Sequence, residues 1–216
     1  MSSGNWMRYL KKIKPYTIKK GFRYLKHYGP KEFWVRLCER MEPEEVPYGP
    51  WFESHKPTEK ELEAQRKKQW KKQPLISVVV PAYKTPEKFL REMIKSLEAQ
   101  TYTNWELVLV DASDADKRLE SRLPKAVPGV IVYEPIENGG IAANTTRGFE
   151  LAHGDFIALL DHDDVLYPNA LFEVVQTLQS TGADFVYSDE IVLSADLKEL
   201  GGYHFKPDFA PDYLRG

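Results

Sequence analysis

Short runs of β-branched and aliphatic residues recur from residue 75 onward, and most are followed by a stretch with helix signals. The runs are 75–80 (Leu75-Ile76-Ser77-Val78-Val79-Val80), 105–110 (Trp105 to Val110), 130–133 (Val130 to Tyr133), 155–160 (Asp155 to Leu160) and 184–187 (Asp184 to Tyr187). Thr85 as N-cap with Pro86 at the first helical position predicts a helix to about Gln100. A short helix is expected over 114–122. Another runs from about Ile141 to Ala152, after the Asn138-Gly139-Gly140 turn, and Gly154 stops it. Pro168 begins a further helix to about Ser180. Strand and helix alternate, which predicts an α/β fold with a mostly parallel sheet, right-handed crossovers and flanking helices. The run Ile157 to Leu160 is apolar throughout, so both faces of that strand are expected to be covered.

That same run ends in Asp161-His162-Asp163-Asp164. Open α/β sheets bind ligands at the carboxyl ends of their strands. In extended backbone, residues two apart point the same way. Asp161 and Asp163 are therefore expected to aim two carboxylates at one Mg²⁺ or Mn²⁺ ion, of the kind that holds substrate phosphates. The other strand ends carry suitable groups too. Pro81-Ala82-Tyr83 offers an aromatic face. Asp111 is a carboxylate that can accept the imide N–H of uracil or thymine. Asn138-Gly139-Gly140 lets backbone approach a ligand closely. Each piece alone has an ordinary explanation as a turn, a cap or a packing residue. Four of them in order, each at a strand's carboxyl end, point to a nucleotide.

Composition narrows the class. The chain has 216 residues, 42% hydrophobic and 29% charged, with a net charge of −2. No run is long enough to span a membrane. Cys38 is the only cysteine, which rules out a disulfide within the chain and argues against a cysteine-based zinc site. The five histidines show no metal-ligand spacing. A reducing, cytoplasmic setting fits this usage. Charge is unevenly spread: residues 1–31 hold nine Lys/Arg and no Asp/Glu. Residues 6–41 read as helical but interrupted at Pro15, Gly21 and Pro30, and the basic start suits an anionic membrane surface or an acidic protein. No nucleic-acid motif accompanies the charge. Thr58-Glu59-Lys60-Glu61 is a capping box that starts a charged surface helix to about Trp70. The expected organisation is thus 1–72, a basic helical extension and linker, and 73–216, a nucleotide-binding unit.

Residues 74–216 resemble a family 2 glycosyltransferase of the GT-A fold, in the group linked to bacterial O-antigen and capsular polysaccharide synthesis. The resembling residues are Ile76 to Tyr83, Leu109-Val110-Asp111-Ala112-Ser113, Glu137 to Thr145, Gly154 to Asp164, Val186 to Glu190 and Phe205-Lys206-Pro207-Asp208. The segment from Tyr48 to Trp70 is similar to the leader of that group. Thr146 stands where the group often has Asn. The resemblance implies that Pro81, Ala82 and Tyr83 border the nucleoside, that Asp111 binds the base, and that Asn138 and Gly140 lie along the nucleotide. It implies that Asp161 touches the ribose side and that Asp163 holds the metal bridging the diphosphate, with Asp164 a weaker candidate and His162 a solvent-facing spacer. The implied reaction is metal-assisted, inverting transfer of a sugar from a UDP- or dTDP-linked donor to a glycan or lipid-linked acceptor. Separately from the resemblance, cysteine usage and the basic segment 1–31 lead to the expectation of a cytoplasmic location that allows peripheral attachment at the inner face of the cell membrane. The general base of such enzymes lies in the second half of the domain, beyond Gly216. Asp189 and Glu190 are the weak candidates within the chain, and they fit the donor-sugar side better. The sequence thus reads as an incomplete GT-A domain.

Two other readings compete. One is a nucleotide-sugar-binding fragment without catalysis. The other is a haloacid-dehalogenase-type phosphatase, since Asp161-x-Asp163 follows an apolar strand. The phosphatase reading requires a long continuation after the motif, whereas here the strand-helix units precede it. A nicotinamide enzyme is disfavoured because Pro-Ala-Tyr, and not a Gly-rich turn, follows the first strand.

Overall fold

The computed structural model describes residues 15–41, 48–125, 127–197 and 200–207. The chain divides into two units, 1–55 and 56–216. The first contains α1 (Pro15–Met41) and α2 (Tyr48–His55). α1 is two helices joined at Gly29, whose φ of 83° and ψ of 170° are non-helical, with Pro30 opening the second helix. The break expected at Pro30 is present. Gly21, expected as a second break, lies inside the helix.

The second unit opens with α3 (Glu59–Arg66), which starts on the predicted capping box. Glu61 N–H donates to Thr58 Oγ1 at 3.3 Å and Thr58 N–H donates to Glu61 Oε2 at 2.7 Å. This segment is tied to the rest of the unit. Thr101 Oγ1 donates to Gln65 Oε1 at 2.9 Å, and Lys68 Nζ to Gln176 Oε1 at 2.8 Å. The Trp70 ring packs edge-on against Tyr102 and Phe172, with centroids 5.5 and 5.1 Å away. The units divide at His55/Lys56 and not at 72/73: residues 58–72 pack and hydrogen-bond onto residues 101–102 and 170–181.

The sheet is built from β1 (Ile76–Ala82), β2 (Trp105–Asp111), β3 (Val130–Pro135) and β4 (Phe156–Leu159). All pairs are parallel, in the order β3-β2-β1-β4. The helices between them are α4 (Glu87–Glu98), α5 (Ile141–Leu151) and α6 (Ala170–Thr181). Period-two alternation sorts the strands onto two faces. Val78, Val80, Leu107 and Leu109 face α4 and α6, whose Leu90, Met93, Leu97, Phe172 and Val175 complete the larger core. Val79, Val108 and Val110 form the smaller core on the opposite face, with Leu151 and Ala152 against them. α5 lies close on that face because Gly148 has no side chain: a Cβ there would sit 2.4 Å from Val79 Cγ1. Residues 114–122, expected as a short helix, form two single 3₁₀ turns, Ala115–Lys117 and Glu120–Arg122.

Three expectations change. β4 is an edge strand whose Ile157 and Leu159 are 45% and 65% exposed. Only its Phe156 and Ala158 side joins the core, since α5 covers β1 and β2 and stops short of β4. Residues 184–187 are not a fifth strand of the sheet. Three apolar residues there are too few to hold an edge, and Phe185 is 60% exposed. Strand structure resumes as a separate antiparallel hairpin of β5 (Glu190–Leu193) and β6 (Leu200–His204). Finally, Thr85 does not cap α4. Pro86 takes the cap position, and the buried Thr85 hydroxyl has no partner among the described residues.

Candidate functional site

Register brings the strand ends together. Ala82 lies opposite Asp111, and Asp111 opposite Pro135. Leu160 N–H still reaches Val79 O, so Asp161 leaves the sheet beside the end of β1. Pro81, Ala82, Tyr83, Asp111, the 136–140 turn and Asp161 therefore occupy one carboxyl-end rim, as expected from the sequence.

Asp111 is fully buried and its carboxylate is heavily used. Oδ1 accepts Ser113 N–H at 3.0 Å; Oδ2 accepts Leu119 N–H and Tyr133 Oη–H, each at 2.7 Å. Burial pushes its pKa up, but the bonds from Ser113, Tyr133 and Leu119 outweigh that and hold it below the usual carboxylate range. A carboxylate accepts about four hydrogen bonds, and here the Ser113 hydroxyl and N–H, the Leu119 N–H and the Tyr133 hydroxyl account for them. Tyr133 answers in the opposite sense: burial, then the Asp111 contact, pushes its phenol up to about 12. Arg118 closes the same corner. Its guanidinium donates to the carbonyls of Asp111 and, at 2.9 Å, Ile136, binding the exits of β2 and β3 together.

Tyr83 is 41% exposed. Next to it Lys84 sits at φ 52°, an uncommon backbone for lysine. Its N–H donates to Ser113 Oγ at 2.9 Å, and its ammonium lies 3.1 Å from Asp114 and 4.7 Å from the Tyr83 ring centroid. The exits of β1 and β2 are thereby tied to each other.

The glycine turn is held from within. Asn138 Oδ1 accepts Gly140 N–H at 3.0 Å and Asn144 Nδ2 at 3.1 Å, while Gly139 N–H donates to Asn144 Oδ1 at 3.2 Å. Gly140 has φ 87° and ψ 168°, a conformation that is essentially glycine-only. It precedes α5, whose first amide groups have no side-chain cap. Uncapped amides at a helix start carry partial positive charge and favour an anion.

The acidic cluster departs from the expected geometry. Asp164 N–H donates to Asp161 O at 3.2 Å, so residues 161–164 form a turn and not an extended segment. The alternation argument for Asp161 and Asp163 therefore fails, because turn backbone does not send residues two apart in one direction. Asp161, Asp163 and Asp164 are all exposed. Although its surface is exposed, desolvation by the surrounding chain and then the charges of Asp163, Asp161 and Glu190 push the Asp164 carboxyl above its usual range. His162 is not solvent-facing: its side chain is 28% exposed, and its buried Nδ1 has no hydrogen-bond partner among the described residues. No group of three or more metal-ligating side chains occurs among the described residues. The donor set still fits a hard divalent ion, which commonly takes one or two carboxylates and completes its shell with water and substrate phosphate.

Asp189 and Glu190 stand at the start of β5, and both are engaged. Lys206 N–H donates to Asp189 Oδ1 at 2.7 Å, and Lys206 Nζ lies 3.0 Å from Glu190 Oε2 and 2.8 Å from Ser188 O. Asp208 lies outside the described residues. Sequence reasoning passed over Tyr133, Arg118 and Asn144. Of these only Asn144 gave a signal, as a polar residue in the first turn of a predicted helix.

A family model described as "Glycosyl transferase family 2" matches residues 77–197. The chain is 42% identical to protein y4gI of Sinorhizobium fredii, over 66% of this chain and 16% of that protein. It is 32% identical to the O-antigen biosynthesis protein RfbC of Myxococcus xanthus, over 84% of this chain and 14% of that one. The chain thus spans less than a fifth of these relatives. Among solved structures it is similar to S. aureus TarS 1-349 in complex with UDP-GlcNAc, with a TM-score of 0.44 and 25% identity over 50% of this chain and 32% of that chain. The family match covers the strand ends in which the rim residues lie and sets aside the phosphatase reading: this chain belongs to glycosyltransferase family 2.

Proposed function

We propose that this chain binds a pyrimidine nucleoside-diphosphate sugar, UDP- or dTDP-linked, for inverting transfer to a glycan or lipid-linked glycan in cell-surface polysaccharide synthesis. The observation that carries the reading is the single rim that joins Tyr83, Asp111, the Gly140 turn and the 161–164 turn across four adjacent parallel strands. The Tyr83 face stacks on the base. Asp111 would take an imide N–H, which a pyrimidine of the uracil type has and adenine lacks, in place of one of its present donors. The uncapped start of α5 faces negative charge with backbone amides. Pro81 and Ala82 form the floor under the nucleoside, and Asp161 meets the ribose.

Asp163, with Asp161, would hold a Mg²⁺ or Mn²⁺ ion, which supplies Lewis-acid stabilisation of the charge that grows on the leaving diphosphate. Inverting transfer also needs a base for the acceptor hydroxyl. Asp189 and Glu190 are committed to Lys206, which argues for a role in holding residues 205–207 and against either as that base.

Calorimetry on the purified chain tests the donor reading. UDP and dTDP are expected to bind at least about tenfold more tightly than ADP, since losing a hydrogen bond to a buried charged group costs about 1.5–3 kcal/mol. Equal affinity for the three nucleotides would sink it. Asp163→Asn is expected to abolish the gain in UDP affinity that Mn²⁺ brings, while leaving metal-free binding unchanged.

A further inference from the structure

We propose that the first unit docks on an anionic lipid surface through Phe22, Trp34 and the basic stripe Lys20, Arg23 and Lys26. Residues three apart are neighbours on a helix surface. The three cations therefore line one side of the first half of α1, and Phe22, four positions before Lys26, stands at the edge of that line. All three cations are exposed, and none has an acidic partner among the described residues. Phe22 is 70% exposed. Beyond the Gly29 kink, Trp34 is 65% exposed and Val35 45%, with Lys31 one turn before Trp34. Between residues 15 and 38 the sequence has one acidic residue, Glu32.

A helix that only faced water would gain nothing from showing Phe and Trp beside unpaired cations. Aromatic bodies that enter the head-group layer while cations meet lipid phosphates give both features a use. No helix among the described residues is long and apolar enough to cross a membrane, so the mode is lying on the surface. Charge sets the choice of partner: near an anionic leaflet each Lys or Arg contributes about fivefold in affinity. The proposal stands on the first unit alone and does not depend on the donor-site reading.

The test is flotation of the full chain with vesicles of phosphatidylcholine alone, or with about 30% phosphatidylglycerol, at about 0.05 and 0.3 M salt. The chain is expected to bind the anionic vesicles only and to lose most of that binding at the higher salt. Replacing Lys20, Arg23 and Lys26 together by Gln is expected to weaken binding about a hundredfold. Phe22→Ala with Trp34→Ala is expected to weaken it about tenfold or more while leaving the salt dependence in place. Circular dichroism of each variant shows whether helix content is kept. Equal binding to neutral and anionic vesicles, or full binding by the triple Gln variant, would overturn the proposal. So would tight binding to soluble RNA or polyphosphate that ignores the two aromatic substitutions, since that outcome marks a soluble polyanion as the partner.

Discussion

Asp111 shows how one side chain can look like a ligand contact from the sequence and turn out to hold a corner of the fold as well. A lone carboxylate after an apolar strand invites the first reading, and its place on the rim agrees with it. What the linear order hid is that Ser113, Leu119 and Tyr133 converge on it from a loop and a neighbouring strand. Those donors lie 2, 8 and 22 positions away, with no periodic relation to Asp111. Asp111→Asn keeps the shape but puts an NH₂ against one of these donors. It is expected to lower unfolding free energy by about 2–3 kcal/mol, read from urea midpoints, in addition to weakening UDP binding. Tyr133→Phe removes one donor and leaves the carboxylate in place. It is expected to cost about 1.5 kcal/mol or more in stability, with Mn²⁺-dependent UDP binding retained. If Tyr133→Phe leaves stability unchanged, the Asp111–Tyr133 bond does not contribute as its geometry indicates.

The order of elements was readable because hydrophobic period and turn residues agree: four of the five expected strands and the helices at 87–98, 141–151 and 170–181 are present. Two of the failures share a cause. Apolar runs report what would like to be buried, but not what covers it, so neither the exposure of β4 nor the loss of 184–187 as a strand was visible. Close packing was equally hidden. Gly148 reads as an ordinary glycine in a helix, where it costs about 1 kcal/mol against Ala. Its actual role is to let α5 approach β1, where a Cβ would meet the buried and stiff Val79 at 2.4 Å. Gly148→Ala therefore reverses the propensity expectation. It is expected to destabilise by about 1–3 kcal/mol through overpacking. Since α5 begins at the Gly140 turn, displacement of the helix is also expected to weaken UDP binding, measurable in the same titrations. A stabilising Gly148→Ala would show that α5 can lift away at no cost.

At the scale of the whole second unit, β2 ties sheet stability to pH at both ends. Asp111 closes its carboxyl end. At the other end Glu106 is buried, and burial pushes its pKa up; the Ser77 hydroxyl and the His153 N–H and ring outweigh that and hold the carboxyl below its usual range. A carboxylate with a depressed folded pKa stabilises at every pH above its unfolded value, about 4, and loses that contribution as pH falls through the folded value. Two phenols, Tyr102 buried and Tyr133 half-buried, act at the other limit. Tyr133 and Tyr102, the latter donating to Pro74 O at 2.6 Å, are both pushed up to about 12, in each case chiefly by burial. A raised folded pKa means their contribution is complete below about 10, the unfolded value, and is lost as pH rises through about 12. The urea midpoint of the full chain is therefore expected to be level with respect to these groups from about pH 5 to 9 and to fall on both sides. The alkaline limb is assigned by substitution: with Tyr102→Phe and Tyr133→Phe combined, the starting midpoint is lower, but its decline between about pH 10 and 12 is expected to be shallower. An alkaline decline of undiminished slope in that double variant would move the cause away from these two phenols.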